Sequence, residues 1–152
     1  MNPLRPRKVV PSIFAIDFEE LRRLGMRAVV FDLDRTLRDP GPNDVKPEVL
    51  SLLERLTERG FRVGILTNRR PLEEDPLHEA LAKTYPLCHT ARKPSKRGFL
   101  SLLRTLETPP ERAVMVGDRL LTDVLGANRL GMYSIRIRPE MRTGRSRRRP
   151  GG

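Results

Sequence analysis

Two aspartates one residue apart, Asp32 and Asp34, follow the apolar run Ala28-Val29-Val30-Phe31, and a third, Asp118, follows Ala113–Gly117. A hydroxyl and an amide, Thr67-Asn68, close the run from Phe61 to Leu66, and Lys93 comes shortly after a brief run at Leu87–His89. In open parallel sheets, ligands bind in the crevice beyond the carboxyl ends of the strands. Four strand ends would therefore deliver acids, a hydroxyl, an amide and a cation to one edge. Carboxylates of Asp32 and Asp118 brought within ~5 Å would repel by about 3 kcal/mol at an effective dielectric of 20, so the set calls for a cation. A few hard carboxylate oxygens suit Mg²⁺, which keeps some of its water and accepts a phosphate oxygen. Beside such an ion a carboxylate can attack phosphorus, splitting one displacement into two. A second carboxyl two residues on can protonate the leaving oxygen and then activate water. The Thr67 hydroxyl can hold phosphoryl oxygens, and Lys93 can offset the charge of nucleophile and phosphate together.

The elements that must position these residues alternate between strands and helices, the pattern of a parallel α/β sheet. Asp17 and Glu20 have capping-box spacing ahead of Leu21 and Leu24, and Gly25 closes that helix. Pro47 opens a helix with Val49, Leu50, Leu53 and Leu56 on one face, ended by Gly60. Asp75-Pro76 starts another, with Leu77, Ala80 and Leu81 inward and His78 expected to be exposed. Phe99, Leu102, Leu103 and Leu106 mark a fourth, which stops before Pro109-Pro110. Leu121, Val124 and Leu125 begin a fifth, capped by Gly131, before a last strand from Tyr133 to Ile137. About five parallel strands flanked by helices are predicted.

Asp32-Leu33-Asp34-Arg35-Thr36-Leu37 resembles the D-x-D-x-T signature of haloacid-dehalogenase-like (HAD) phosphatases. Leu66-Thr67-Asn68 looks like their second motif, Lys93-Pro94 the third, and Gly117-Asp118 with Asp123 the fourth; the likeness covers roughly residues 10–139. It implies a single Rossmann-like (HAD-like) α/β domain, with Asp32 as nucleophile and Asp34 as general acid/base. It also implies Mg²⁺ held by Asp32, the backbone carbonyl of Asp34, and Asp118, with Asp123 as a supporting acid outside the metal's own ligands. The bland alternative for Asp123 is an acid that complements a helix N-terminus.

Thirty residues separate Thr36 from Thr67 and twenty-five separate Asn68 from Pro94, and each gap is filled by a helix and a strand. Neither can house a cap domain, so the site should be open and suit a bulky or surface-presented substrate. The stretch from Pro11 to Ala28, and Gly117–Met132, are similar to the capless subclass IIIA branch that includes phosphatidylglycerophosphate phosphatases. The implied reaction leaves phosphatidylglycerol. Arg35 stands where that branch usually has Asn, and Arg69-Arg70 follow Asn68 where small polar residues are common. All three would lie near the mouth of the site, either solvated or binding a second anionic group on the substrate. The expected substrate-binding set is Thr67, Asn68, Lys93 and Arg35. Rival readings are a capless phosphatase for polynucleotide ends, phosphoproteins or soluble metabolites, and a nucleic-acid-binding protein that keeps the fold without the chemistry.

The chain has 152 residues, one domain's length, with 30 Lys+Arg against 19 Asp+Glu and a net charge of +11. Residues 1–8 carry +3 and residues 136–152, with seven arginines and Glu140, carry +6, which leaves +2 for the body. A nearly neutral body argues against a folded nucleic-acid platform. Residues 1–10 are expected as a basic N-terminal segment, 11–139 as the domain, and 140–152 as a disordered Arg-rich tail. That tail would attract an anionic membrane surface, RNA or DNA, or remain solvated. No run approaches the roughly 18 apolar residues of a membrane span. No apolar segment follows the charged N-terminus, so a secretory signal is not expected. A lone cysteine, Cys88, forms no internal disulfide, and Cys88-His89 without further soft ligands makes no zinc site. The expected setting is cytoplasmic, with peripheral membrane contact through the tail.

Overall fold

The computed structural model describes residues 2–38, 46–70 and 75–140. Six strands, β1 (Lys8–Val10), β2 (Ala28–Phe31), β3 (Arg62–Leu66), β4 (Leu87–Cys88), β5 (Ala113–Gly117) and β6 (Tyr133–Ile137), form one sheet in the order β1-β6-β5-β2-β3-β4. All five pairings are parallel. The helices are α1 (Phe18–Arg23), α2 (Pro47–Glu58), α3 (Pro76–Thr84), α4 (Lys96–Thr105) and α5 (Leu125–Leu130).

Side chains of a strand alternate between faces, and helices cover both faces of this sheet. Val29 and Phe31 of β2 pack with Leu21 of α1, Leu52, Leu53 and Leu56 of α2, and Leu77 and Leu81 of α3. Ala28 and Val30 point the other way, into a cluster with Phe99, Leu102 and Leu103 of α4 and Ala127 of α5. The helix starts follow from local chemistry. The Asp17 carboxylate accepts from the Glu20 amide at 3.0 Å, and Asp75 accepts from the His78 amide at 3.1 Å. Gly25 and Gly60 end α1 and α2 at φ values of 92° and 97°, a region that costs a side-chain-bearing residue energy.

The sheet has one strand more than the five read from the sequence. The extra strand, β1, is three residues long with only Val10 partly buried, too short to show a period, and it is made by pairing with Ile135–Ile137. Register matters most for the site. Phe31 lies opposite Ile65 on one side and Val116 on the other, so β2, β3 and β5 end level. Asp32, Thr67 and Asp118 therefore leave the sheet at the same edge. Among the described residues no cap domain covers that edge, and no helix is long and apolar enough to cross a membrane. Apart from Glu140, the Arg-rich tail lies outside the described residues.

Candidate active site

Beyond Phe31 the chain turns sharply around one carbonyl. The amides of Thr36, Leu37 and Arg38 converge on the Leu33 carbonyl at 3.3, 2.9 and 3.2 Å. Leu33 and Leu37 are buried beneath this turn and fix it to the core. Arg35 at its crest has a φ of 63° and points its side chain to solvent. The turn aims Asp32 into the sheet edge, where the Asp32 amide still bonds to the Val116 carbonyl at 2.9 Å.

Lys93 is the centre of the site. Its ammonium donates to Asp32 Oδ1 at 2.9 Å, to Asp123 Oδ1 at 2.7 Å and to the Leu66 carbonyl at 2.9 Å, which uses all three of its protons. The loop carrying it is held by Asn68, whose Oδ1 accepts from the Lys93 amide at 2.7 Å while Nδ2 donates to the Lys93 carbonyl at 3.3 Å. Both polar atoms of the Asn68 side chain thus bond the Lys93 backbone, while the second Nδ2 proton of this exposed residue has no part in holding the loop. Asp123 is buried on the single π-helical turn Leu120–Val124, and its second oxygen accepts from the Arg119 amide at 3.2 Å. A Cβ at position 117 would collide with the Asp123 carboxylate, so only glycine lets that acid reach Lys93.

Asp32, Asp118 and Asp123 each offer an oxygen within 4.8 Å of the others. Burial pushes the Asp32 carboxyl up to about 6; Lys93 opposes the shift and Asp123 adds to it. Burial and the charge of Asp32 also raise the Asp118 carboxyl. Burial alone would lower the Lys93 ammonium, but Asp123 and Asp32 outweigh it and hold it above its ordinary value. Among the described residues Lys93 is the one cation bonded to these three acids, and Arg119 and Arg35 act on Asp118 through charge without cancelling its rise, which leaves the cluster short of positive charge. Among the described residues Asp118 Oδ1 is buried without a partner, whereas both Asp123 oxygens are engaged. A hard divalent ion fits this donor set: it would satisfy the orphaned Asp118 oxygen and bind Asp32 beside it.

The Asp34 carboxylate lies outside that trio and is held between two guanidinium groups. Arg38 Nε donates to its Oδ1 at 2.9 Å and Arg69 Nε to its Oδ2 at 2.9 Å. Arg38 is itself buried and donates through Nη1 to Asp75 Oδ1 at 2.7 Å. Thr67, also buried, accepts from the Arg69 amide at 3.0 Å, which leaves its hydroxyl proton free to donate. Two residues of this arrangement escaped the sequence reading. Arg38 sits four positions after Asp34, a spacing that hints at pairing, and Asp75 looked like no more than a helix cap. His78, expected to be exposed, is buried, because α3 turns positions 77, 78 and 81 inward together.

Residues 13–131 match the model of the haloacid dehalogenase-like hydrolases. The chain is 34% identical over 134 residues to the probable phosphatase YqeG of Bacillus subtilis, covering 88% of this chain and 77% of that protein. It is 32% identical to the chloroplastic phosphatidylglycerophosphate phosphatase 1 of Chlamydomonas reinhardtii, covering 88% of this chain but 52% of the algal protein, so it spans about half of that relative. Among solved structures it is similar in fold to a HAD phosphatase from Thermococcus onnurineus, with a TM-score of 0.60 at 20% identity over 74% of this chain and 86% of that one.

Proposed function

The chain belongs to the haloacid dehalogenase-like hydrolases and is a phosphatase, and from that premise we propose that it is a Mg²⁺-dependent phosphomonoesterase working through an aspartyl-phosphate on Asp32, with phosphatidylglycerophosphate as substrate. The observation that carries this reading is the buried Asp32 carboxylate, paired with Lys93 and within 4.8 Å of a carboxylate oxygen of Asp118, whose Oδ1 has no partner among the described residues.

Asp32, Asp118 and the Asp34 carbonyl would hold Mg²⁺, which when bound neutralises charge on the attacking carboxylate and the phosphoryl oxygens. The second Asp32 oxygen, not the one bonded to Lys93, attacks phosphorus as the ester P–O bond breaks. Asp34 gives its proton to the departing oxygen, and the alcohol leaves. Asp34 then takes a proton from water as that water attacks phosphorus, which releases phosphate and restores Asp32. The free Thr67 proton meets a phosphoryl oxygen, Lys93 supplies fixed positive charge, and Asp123 keeps Lys93 aimed.

The lipid substrate is carried over from the algal relative and is supported by the open edge and by the exposed arginines Arg35 and Arg70 beside Arg69. These could bind the phosphodiester that such a lipid carries besides its terminal phosphate. Arg35→Ala should then raise KM for phosphatidylglycerophosphate in mixed micelles several-fold while leaving KM for p-nitrophenyl phosphate within about twofold; equal shifts for both would remove Arg35 from substrate recognition. The reading as a whole is tested by Mg²⁺-dependent turnover of phosphatidylglycerophosphate against glyceraldehyde 3-phosphate and phosphorylated oligonucleotides. A higher kcat/KM for either soluble class would overturn the lipid assignment. Residues 140–152 would tether the enzyme to anionic bilayers, at about 1 kcal/mol per basic residue near the surface before screening. Their deletion should weaken sedimentation with phosphatidylglycerol vesicles, and unchanged sedimentation would refute the tether.

A further inference from the structure

We propose that Arg38 is a positioning residue for Asp34, its buried guanidinium anchored on Asp75 at the start of α3 and fixing one oxygen of the Asp34 carboxylate so that the other faces the leaving group. The inference rests on reading Asp34 as the acid/base.

The two arginines that hold Asp34 differ in kind. The Arg38 side chain is 3% exposed and its partner Asp75 is 1% exposed, whereas Arg69 and Asp34 are each 38% exposed. Asp75 Oδ1 also accepts from the His78 amide, so the anchor is tied to the first turn of α3, a helix whose Leu77 and Leu81 lie in the core. Arg38 is therefore a fixed arm and Arg69 an exchangeable one. A guanidinium Nε–H only donates, so Asp34 Oδ1, facing Arg38, stays an acceptor. Any proton that Asp34 transfers must sit on Oδ2, and Arg69 must leave that oxygen before it can carry one.

Stability alone does not explain the fixed arm. Buried ion pairs are often no more stabilising than apolar residues of similar volume. Among the described residues Arg38 Nη2 and Asp75 Oδ2 of this pair, and His78 Nε2, are also buried without partners, and such groups are costly. The Arg38 guanidinium is held charged against its burial by hydrogen bonds to Asp75 and Asp34, and the Asp75 carboxyl is lowered against its own burial by Arg38. What the arrangement achieves is a carboxylate fixed in direction at the mouth of the site, as proton transfer to an oriented leaving group requires.

The test uses the full chain with Mg²⁺ and aryl phosphates from p-nitrophenyl, whose leaving group needs no proton, to p-methoxyphenyl, which gains from one. The reading is kcat/KM, because it covers only the steps up to departure of the alcohol. Arg38→Met should lower kcat/KM by about 10²-fold or more on p-methoxyphenyl phosphate and by less than about 10-fold on p-nitrophenyl phosphate. It should also produce a burst of p-nitrophenol, since hydrolysis of the phospho-enzyme needs the same carboxyl. Arg38→Met/Asp75→Leu removes both buried charges, so it avoids an unpaired ion in the core and should show the same dependence on leaving group. An equal fold-loss along the series in either folded variant, or no loss in both, would overturn the inference. Asp34→Asn serves as the reference: if its own losses do not grow toward p-methoxyphenyl, it is the acid assignment that fails, and the role of Arg38 with it.

Discussion

Replacing Asp32 with Asn abolishes phosphate release, lowering kcat on p-nitrophenyl phosphate by on the order of 10⁴–10⁶-fold, the scale seen when a covalent nucleophile is removed. The amide keeps the shape of the side chain and can still accept from Lys93, so the loss is one of chemistry. Stability should move the other way. The folded-state pKa of Asp32 is raised from 3.8 to about 6 by burial. Between those values the folded protein holds a proton that the unfolded chain has released, so stability falls as pH rises through that window. With divalent ions chelated, the variant should therefore match wild type near pH 4 and exceed it at pH 8 by up to about 3 kcal/mol, read as a higher denaturant midpoint. Added Mg²⁺ should stabilise wild type more than the variant. A variant that is equally active, or less stable than wild type at pH 8 under chelation, would contradict the place given to Asp32.

Lys93→Met has the second large effect. Among the described residues the ammonium is the one cation bonded to Asp32 and Asp123, and both partners are buried. Removing one member of such a pair leaves uncompensated charge and costs about 3–5 kcal/mol. The variant should lose that much at neutral pH and regain part of it as pH falls and the carboxylates take up protons. Lys93→Met/Asp123→Leu, which also deletes the acid, should recover most of the stability but none of the activity. Thermal unfolding across pH checks the first expectation, and activity of the refolded double variant checks the second. Full activity in either variant would exclude Lys93 from the phosphoryl-binding step.

What could be read from the chain, and what could not, divides by the range of the interaction. Asp32, Thr67, Lys93 and Asp118 each follow an apolar run, and a parallel sheet with level strand ends converts that local signal into a shared edge. The helix starts at Asp17 and Asp75 were legible for the same reason, since a cap acts over three residues. Long-range contacts were not. Asp75 meets Arg38 across 37 positions, and nothing in either neighbourhood announces it. Asn68 was expected to touch substrate; that its amide also holds the Lys93 backbone is revealed only by the return of the chain after β4. The need for glycine at 117 was likewise hidden until the π-helical turn placed Asp123 against it. A three-residue edge strand such as β1 exists because β6 is there to receive it.

The most direct measurement is rapid acid quench of the enzyme turning over ³²P-labelled p-nitrophenyl phosphate with Mg²⁺, followed by mapping of the labelled peptide. Nucleophilic attack by Asp32 is expected to leave the label as an acid-stable, base-labile acyl phosphate on Asp32, and no label in Asp32→Asn. Label on another residue, or turnover with no phospho-enzyme at any quench time even in Asp34→Asn, where its hydrolysis is slowed, would contradict attack by this carboxylate.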